Sequence, residues 1–399
     1  MARKRVIYQS EALFVSNTGT SQTAVQLHRV QSANYSFDIS RTDVNEFGQL
    51  ARIDSLIIEQ PTVSLDFTYY PFSGQQEKLI GFDIGHTNSC ISNILSGKGD
   101  ALNYFIATSA EGGDINAGDT GNWKSVIGLG NMSLTSYSVD GSVGDFVSAS
   151  VSAEGLNMIV DTSGHATLGL TKVTNPAVTV YDGAAVGGDT TLPAAVKVLG
   201  TTTNVATALQ PHHVVVDVTA LGKATLGLDT ADLKVQSFSV GVDLGRTPLE
   251  KLGSRFAFSR EIDFPVTATL DFSANIGEMK ANMDDPKARA SIEDMFVGSV
   301  NSSEPAGEQG GDADTFDINV CVKPPSDYGM DWRLKGCKLD SQSFSSSIGD
   351  NKSVDFSFST QIGGPQDTSN GLIIAKVTGA GSSCNNTNYT AAVEAGQYA

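Results

Sequence analysis

The sequence predicts a mainly β protein of the α+β kind: two tandem antiparallel β-sandwich domains, each with a flanking helix. Three observations predict it. Apolar residues alternate with period two, the composition is poor in charge and rich in turn formers, and one segment recurs at a fixed distance along the chain. Of the 399 residues 40% are apolar, enough to fill globular cores, and only 18% are charged, against the usual quarter or so. Gly, Ser and Thr are abundant and long helical patterns are scarce, which favours many short strands and turns.

The recurrence is the strongest signal. Val30–Phe67 aligns without gaps on Val235–Phe272 at an offset of 205, with 12 identities in 38 positions, where composition alone gives about two. The identities include Val30-Gln31-Ser32 with Val235-Gln236-Ser237, Arg41-Thr42 with Arg246-Thr247, Gly48 with Gly253, and Leu65-Asp66-Phe67 with Leu270-Asp271-Phe272. The same offset returns at Leu134/Leu339, Ser136/Ser341 and Gly144-Asp145/Gly349-Asp350, then becomes 207. A unit this long is a whole domain, well above solenoid periods of about 20–50 residues. The expected division is 1–164 and 206–379 for the two copies, 165–205 for a linker or insertion, and 380–399 for a flexible tail. The 165–205 segment has strand-like pieces at Ala177–Tyr181 and Ala194–Leu199 and can hold a β-hairpin.

Each copy carries strands with one apolar and one wet face. Tyr35, Phe37 and Ile39 oppose Ser36, Asp38 and Ser40, and Phe238, Val240 and Val242 oppose Ser239, Gly241 and Asp243. Val63, Leu65 and Phe67 oppose Ser64, Asp66 and Thr68, and Ala268, Leu270 and Phe272 oppose Thr269, Asp271 and Ser273. Val354, Phe356 and Phe358 oppose Asp355, Ser357 and Ser359. Such sheets bury the apolar face and wet the other, so Phe37, Leu65, Val242 and Leu270 are expected in the core. The wet faces are unusual in lacking the Lys, Arg or Glu that normally protect exposed strands. One helix is expected from Asp285-Pro286, with Ala288, Ile292, Met295 and Phe296 as its apolar stripe, and a counterpart around Gln75–Gly81.

A net charge of −18 argues against gripping nucleic acid, because the phosphate backbone is held by cations. No apolar run is long enough to cross a bilayer, and the stretch after the basic N-terminus is too polar for a signal peptide. Cys90, Cys321, Cys337 and Cys384 lie far apart without a CxxC pair and are expected as free thiols. No catalytic residue, metal site or cofactor is expected. His212-His213 would diverge on a strand, His86 and Cys90 lack further ligands and suit a surface turn, and the stretch from Asp312 fails the calcium-loop pattern at Asp317 and Lys323. Nucleophile elbows, phosphate-binding loops and zinc-protease motifs are missing.

The block Val30-Gln31-Ser32-Ala33-Asn34-Tyr35-Ser36-Phe37, with Arg41-Thr42, Gly48-Gln49-Leu50 and Gln60-Pro61-Thr62-Val63, resembles the major tail tube proteins of long-tailed, siphovirus-type bacteriophages. The echo in Val235-Gln236-Ser237, Arg246-Thr247 and Gly253 carries the same pattern. The resemblance implies β-sandwiches flanked by a helix, joined around rings that stack into a tube. It implies a structural role in the virion tail after assembly in the host cytoplasm. Self-association, tape measure protein and tail terminator or baseplate proteins are the implied partners. Viral DNA transits without specific binding, and no membrane is involved. Two domains per chain imply three chains per pseudo-sixfold ring. The lumen-facing set is then Asp38, Asp66, Asp243, Asp271, Asp355, Ser36, Ser64, Ser239 and Thr269. The subunit and ring contacts are Arg41, Thr42, Gly48, Arg246, Thr247 and Gly253. A contractile-tail or secretion-system tube protein is the nearest alternative. A non-viral β-sandwich binding module is the other, and it would show clustered exposed aromatics where only Trp123 and Trp332 stand as tryptophans.

Overall fold

A computed structural model describes residues 11–17, 23–57, 61–109, 123–161, 195–197, 209–218, 233–276, 316–322, 329–345 and 353–377, save 73, 86–88, 98–99, 156, 210–211, 213, 253–256, 258, 366 and 368. The alternating segments form strands and the turn formers separate them. In chain order these are β1 (Glu11–Asn17), β2 (Thr23–Gln26), β3 (Val30–Asp38), β4 (Thr42–Val44), β5 (Asp54–Leu56), β6 (Thr62–Tyr69), α1 (Gln75–Leu79), α2 (Ser92–Leu95), β7 (Leu102–Ser109), β8 (Trp123–Ser142), β9 (Ser148–Gly155) and β10 (Asn157–Asp161). They continue with β11 (Ala195–Lys197), β12 (Val214–Val218), β13 (Leu233–Asp243), β14 (Arg246–Leu249), β15 (Ser259–Ile262), β16 (Thr267–Ile276), β17 (Phe316–Val322), β18 (Gly329–Ser345), β19 (Ser353–Gln361) and β20 (Gly371–Val377). The protein is mainly β with antiparallel sheets.

One sheet organises the molecule. Its order is β3-β6-β9-β8-β13-β16-β19-β18, antiparallel throughout. It consists of two quartets with the same neighbour relations, β3-β6-β9-β8 and β13-β16-β19-β18, joined by the β8–β13 ladder. β8 and β18 each serve a second layer with their first halves. There β8 pairs with β7 and β10, and β18 pairs with β17 and β20. A strand can change sheets only by bending, and both bend at the same two devices. Asn131 and Gly336 take left-handed φ of 54° and 60°, and register shifts follow at Leu134/Ser136 and Leu339/Ser341. Gly336 needs its missing Cβ as well as its φ, since an added carbon would lie 3.0 Å from the Ser369 carbonyl. Gly336→Ala should therefore lower stability by about 1–3 kcal/mol in urea unfolding.

The apolar faces of the eight strands meet the second layers and the short helices in one continuous core, in which Leu65, Phe67, Val240, Leu270, Phe358 and Trp332 are buried. Burying each such side chain contributes about 1.5–3 kcal/mol. The core crosses from quartet to quartet. On the segment linking α1 to α2, the Gly85 and Cys90 amides donate to the Ile374 and Leu372 carbonyls of β20, at 3.0 and 2.8 Å. α1 occupies the place expected for a helix near Gln75–Gly81. The helix expected from Asp285 lies outside the described residues, as do Ala177–Tyr181 and the 380–399 tail. Within 165–205, β11 pairs in parallel with β2.

Three expectations are corrected. Phe37 is 42% exposed, with Tyr35 at 42% and Ile39 at 39%, because β3 is an end strand of the sheet and among the described residues has β6 on one side only. Cys321 is disulfide-bonded, whereas Cys90 and Cys337 are buried thiols; long separation along the chain does not preclude a disulfide, which depends on distance in space. Cys90 lies fully buried before α2 and not on a surface turn.

Candidate functional site: the polar sheet face and its two ends

Alternation puts the small polar residues of all eight strands on one face. Asp38, Asp66, Asp243, Asp271, Asp355, Ser36 and Thr269 are exposed, and Ser64 and Ser239 are half-buried. Register spaces the acids. Asp66 lies between Asn34 and Ser152, Asp271 between Ser239 and Ser357, Asp355 between Ser273 and Ser343, and Asp140 between Ser148 and Ser239. No two of these aspartates are direct cross-strand partners, an arrangement that avoids the cost of opposed like charges. Hydroxyls link neighbouring strands: Ser36 Oγ to Ser64 Oγ at 2.7 Å, Ser32 Oγ to Thr68 Oγ1 at 2.7 Å, and Ser343 Oγ donating to Asp355 at 3.3 Å.

The face is concave across β8, β13, β16, β19 and β18, where it encloses about 650 Å³. Asp140, Asp145, Asp271 and Asp355 line this hollow, and among the described residues no Lys or Arg does. A cation stands at its margin instead: Lys338 is exposed and in register with Ser359. The expectation of a cation-free face therefore applies to the hollow and not to the margin where β18 bends away.

Arg246 sits at the joint between quartets with 2% of its side chain exposed. Its Nε donates to the Leu134 carbonyl at 3.0 Å, and one terminal nitrogen meets Asp100 at 2.5 Å and the Arg260 carbonyl at 3.2 Å. Arg260 pairs in turn with Glu154 at 3.2 Å. Arg41, at the equivalent place on the sheet end, is exposed. Thr42 and Gly48 are exposed in the β4–β5 hairpin, whose tip presents Phe47 and Leu50 to solvent. Thr247 bonds Asp263 at 2.8 Å in the matching β14–β15 hairpin, where Leu252 is exposed and Gly253 lies outside the described residues.

A buried cluster that no sequence motif flags lies behind the joint. Glu77 on α1 accepts from Tyr69 at 2.9 Å and from Tyr137 at 3.5 Å, and Trp332 Nε1 of the other quartet reaches the Tyr137 oxygen at 3.4 Å. Burial raises the Glu77 carboxyl to about 7. Among the described residues no group of three or more His, Cys, Asp or Glu side chains could hold a metal, and no helix is long and apolar enough to cross a membrane.

No family model and no curated protein matches the chain. Among solved structures it is similar to the anti-feeding prophage baseplate, at 11% identity and a TM-score of 0.28 over 40% of this chain and 97% of that one. It is similar to the SPP1 tail tube at 13% identity and a TM-score of 0.28, over 40% of this chain and 80% of that one. For the tail of the empty GTA particle the values are 10% and 0.21, over 35% and 81%.

Proposed function

We propose that this chain is the structural subunit of a phage tail tube: three chains close a ring of six similar units, and rings stack into the channel through which viral DNA leaves. The observation that carries this reading is the eight-stranded sheet, with its concave acidic face and with β3 and the second half of β18 each paired on one side only among the described residues. Three such sheets make a wall of 24 strands, which at about 4.8 Å spacing has a circumference near 115 Å and a backbone diameter near 37 Å before strand tilt. Barrels of about 16–18 strands already leave an aqueous channel. The apolar tips of the β4–β5 and β14–β15 hairpins suit contact with the next ring. The tape measure protein and the terminator or baseplate proteins are the partners of such a tube. Negative-stain microscopy of the purified protein tests the reading: rings or tubes with a central hole are expected, and uniform small monomers at high concentration would count against it.

With the polar face inward, small hydroxyls and spaced aspartates offer DNA no counterion-releasing grip. Asp66→Lys with Asp271→Lys should leave tubes intact and slow ejection, most at low salt where screening is weak. Unchanged ejection kinetics from particles with intact tails would place the face elsewhere.

A further inference from the structure

The joint inside the chain specifies the joint between chains. β13 adds to β8 in the register Ser136/Asp243, Tyr137/Val242, Ser138/Gly241, Val139/Val240 and Asp140/Ser239. The corresponding half of β18, Lys338–Ser345, pairs with β19, and β3 pairs with β6. These are the positions that β8 and β13 occupy at the inner joint, displaced by the repeat offset of 205. Isologous pairing would put like ends together, whereas a repeat along one chain supplies unlike ends that meet head to tail.

We infer that β18 of one chain adds to β3 of a second copy in the transferred register: Ser341/Asp38, Gln342/Phe37, Ser343/Ser36, Phe344/Tyr35 and Ser345/Asn34. This rests on the ring reading above and gives it an address. The transferred register keeps the two faces of the inner joint. On the wet face every pair is small and polar with at most one aspartate, as inside the chain. On the apolar face Tyr35 and Phe37, half exposed in the single chain, become the counterparts of Val240 and Val242, which are 0% and 3% exposed because β8 covers them.

Backbone contacts flanking the inner ladder transfer too. The Leu244 amide donates to the Thr135 carbonyl at 2.7 Å, and Arg246 Nε to the Leu134 carbonyl. Their equivalents are the Ile39 amide on the Asp340 carbonyl and Arg41 on the Leu339 carbonyl of the second copy. Arg41 thereby acquires the role Arg246 has at the inner joint.

The Leu244–Thr135 and Val143–Gln236 bonds make the apolar-face pairs the hydrogen-bonded ones. The wet-face pairs are then the closer, non-hydrogen-bonded kind, with Cα atoms about 4.5 Å apart, within disulfide reach. β3 and β18 are seven strands apart in one chain, roughly 34 Å along the sheet, so a bond between them must join two chains. The test is oxidative crosslinking of Ser36→Cys chains mixed with Ser343→Cys chains, beside a double variant and the parent protein, with rings scored by microscopy. Expected are a dimer and nothing larger in the mixture, a series ending at covalent trimer for the double variant, no crosslink in the parent protein, and at least tenfold less product when Ser343→Cys is replaced by Ser341→Cys or Ser345→Cys. Rings without this crosslink, or crosslinking best in a shifted pair, overturn the register and leave the ring reading standing. Monomers without rings overturn both.

Discussion

Tyr35→Asp combined with Phe37→Asp should abolish assembly while leaving a folded monomer. Each aromatic is 42% exposed in the single chain. Aromatic side chains bury about 150–250 Å², so each ring retains roughly 80 Å² for a neighbour to cover, worth about 2 kcal/mol at ~25 cal/mol per Å². The pair contributes about 4 kcal/mol per joint on this basis, about 1,000-fold in association, and closing a ring multiplies the loss over every joint. The buried carboxylates add a desolvation cost on top. The same residues contribute little to the monomer, because β3 is an end strand and its partner β6 keeps Val63, Leu65 and Phe67 buried on the strand behind it. Size-exclusion chromatography should give monomer with an unchanged circular dichroism spectrum. Rings formed by the double variant at wild-type concentration would show that β3 is not the assembling edge. Val240→Asp, made at the equivalent inner position, should instead unfold the chain, since Val240 is fully buried.

The second large effect concerns pH. Glu77 is wholly buried between Tyr69 and Tyr137, and burial holds its carboxyl near 7 against an ordinary 4.5. The folded chain therefore binds this proton more tightly than the unfolded chain between those two values. Stability from this group is full below about pH 4.5, falls as pH rises, and has lost about 3 kcal/mol by the time pH passes 7. Glu77→Gln keeps the shape and removes the titration. The difference in unfolding free energy between parent and variant should grow in the variant's favour from pH 5 to pH 8, while the other titrating groups cancel. Trp332 reaches Tyr137 from the other quartet, so the loosening should be felt where the quartets meet. A parent-minus-variant difference that stays constant from pH 5 to pH 8 would mean the carboxyl is solvated.

Much of this was legible in the sequence because period two and a constant offset are local, countable signals. Leu65, Val242 and Leu270 are buried where alternation puts them, and Asp66 and Asp271 are exposed opposite them. The exposure of Phe37 is not legible in the sequence, because alternation assigns a face and says nothing about whether a neighbouring strand exists to cover it. The β8–β13 ladder was not legible either: strand neighbours a hundred residues apart leave no periodic trace, and Arg246 looked the same as Arg41 although one is buried at a joint and the other is exposed. Glu77 was hidden by its ordinary setting in Gln75-Gln76-Glu77-Lys78, a run that reads as a solvated turn of helix. Only the packing of Tyr69, Tyr137 and Trp332 around it makes it unusual. The wet-face place of Lys338 leaves no trace in the alternation, because the bulge at Leu339/Ser341 shifts the face on which it lies.

On the reading proposed above, the two quartets are equivalent units and three chains complete a closed wall. Native mass spectrometry of rings released from tubes by mild dissociation tests it most directly. The expected dominant species lies near 125 kDa, three times the 41.8 kDa chain, and its particles show six evenly spaced lobes by microscopy. A dominant dimer, or a ring of six chains near 250 kDa, would contradict it.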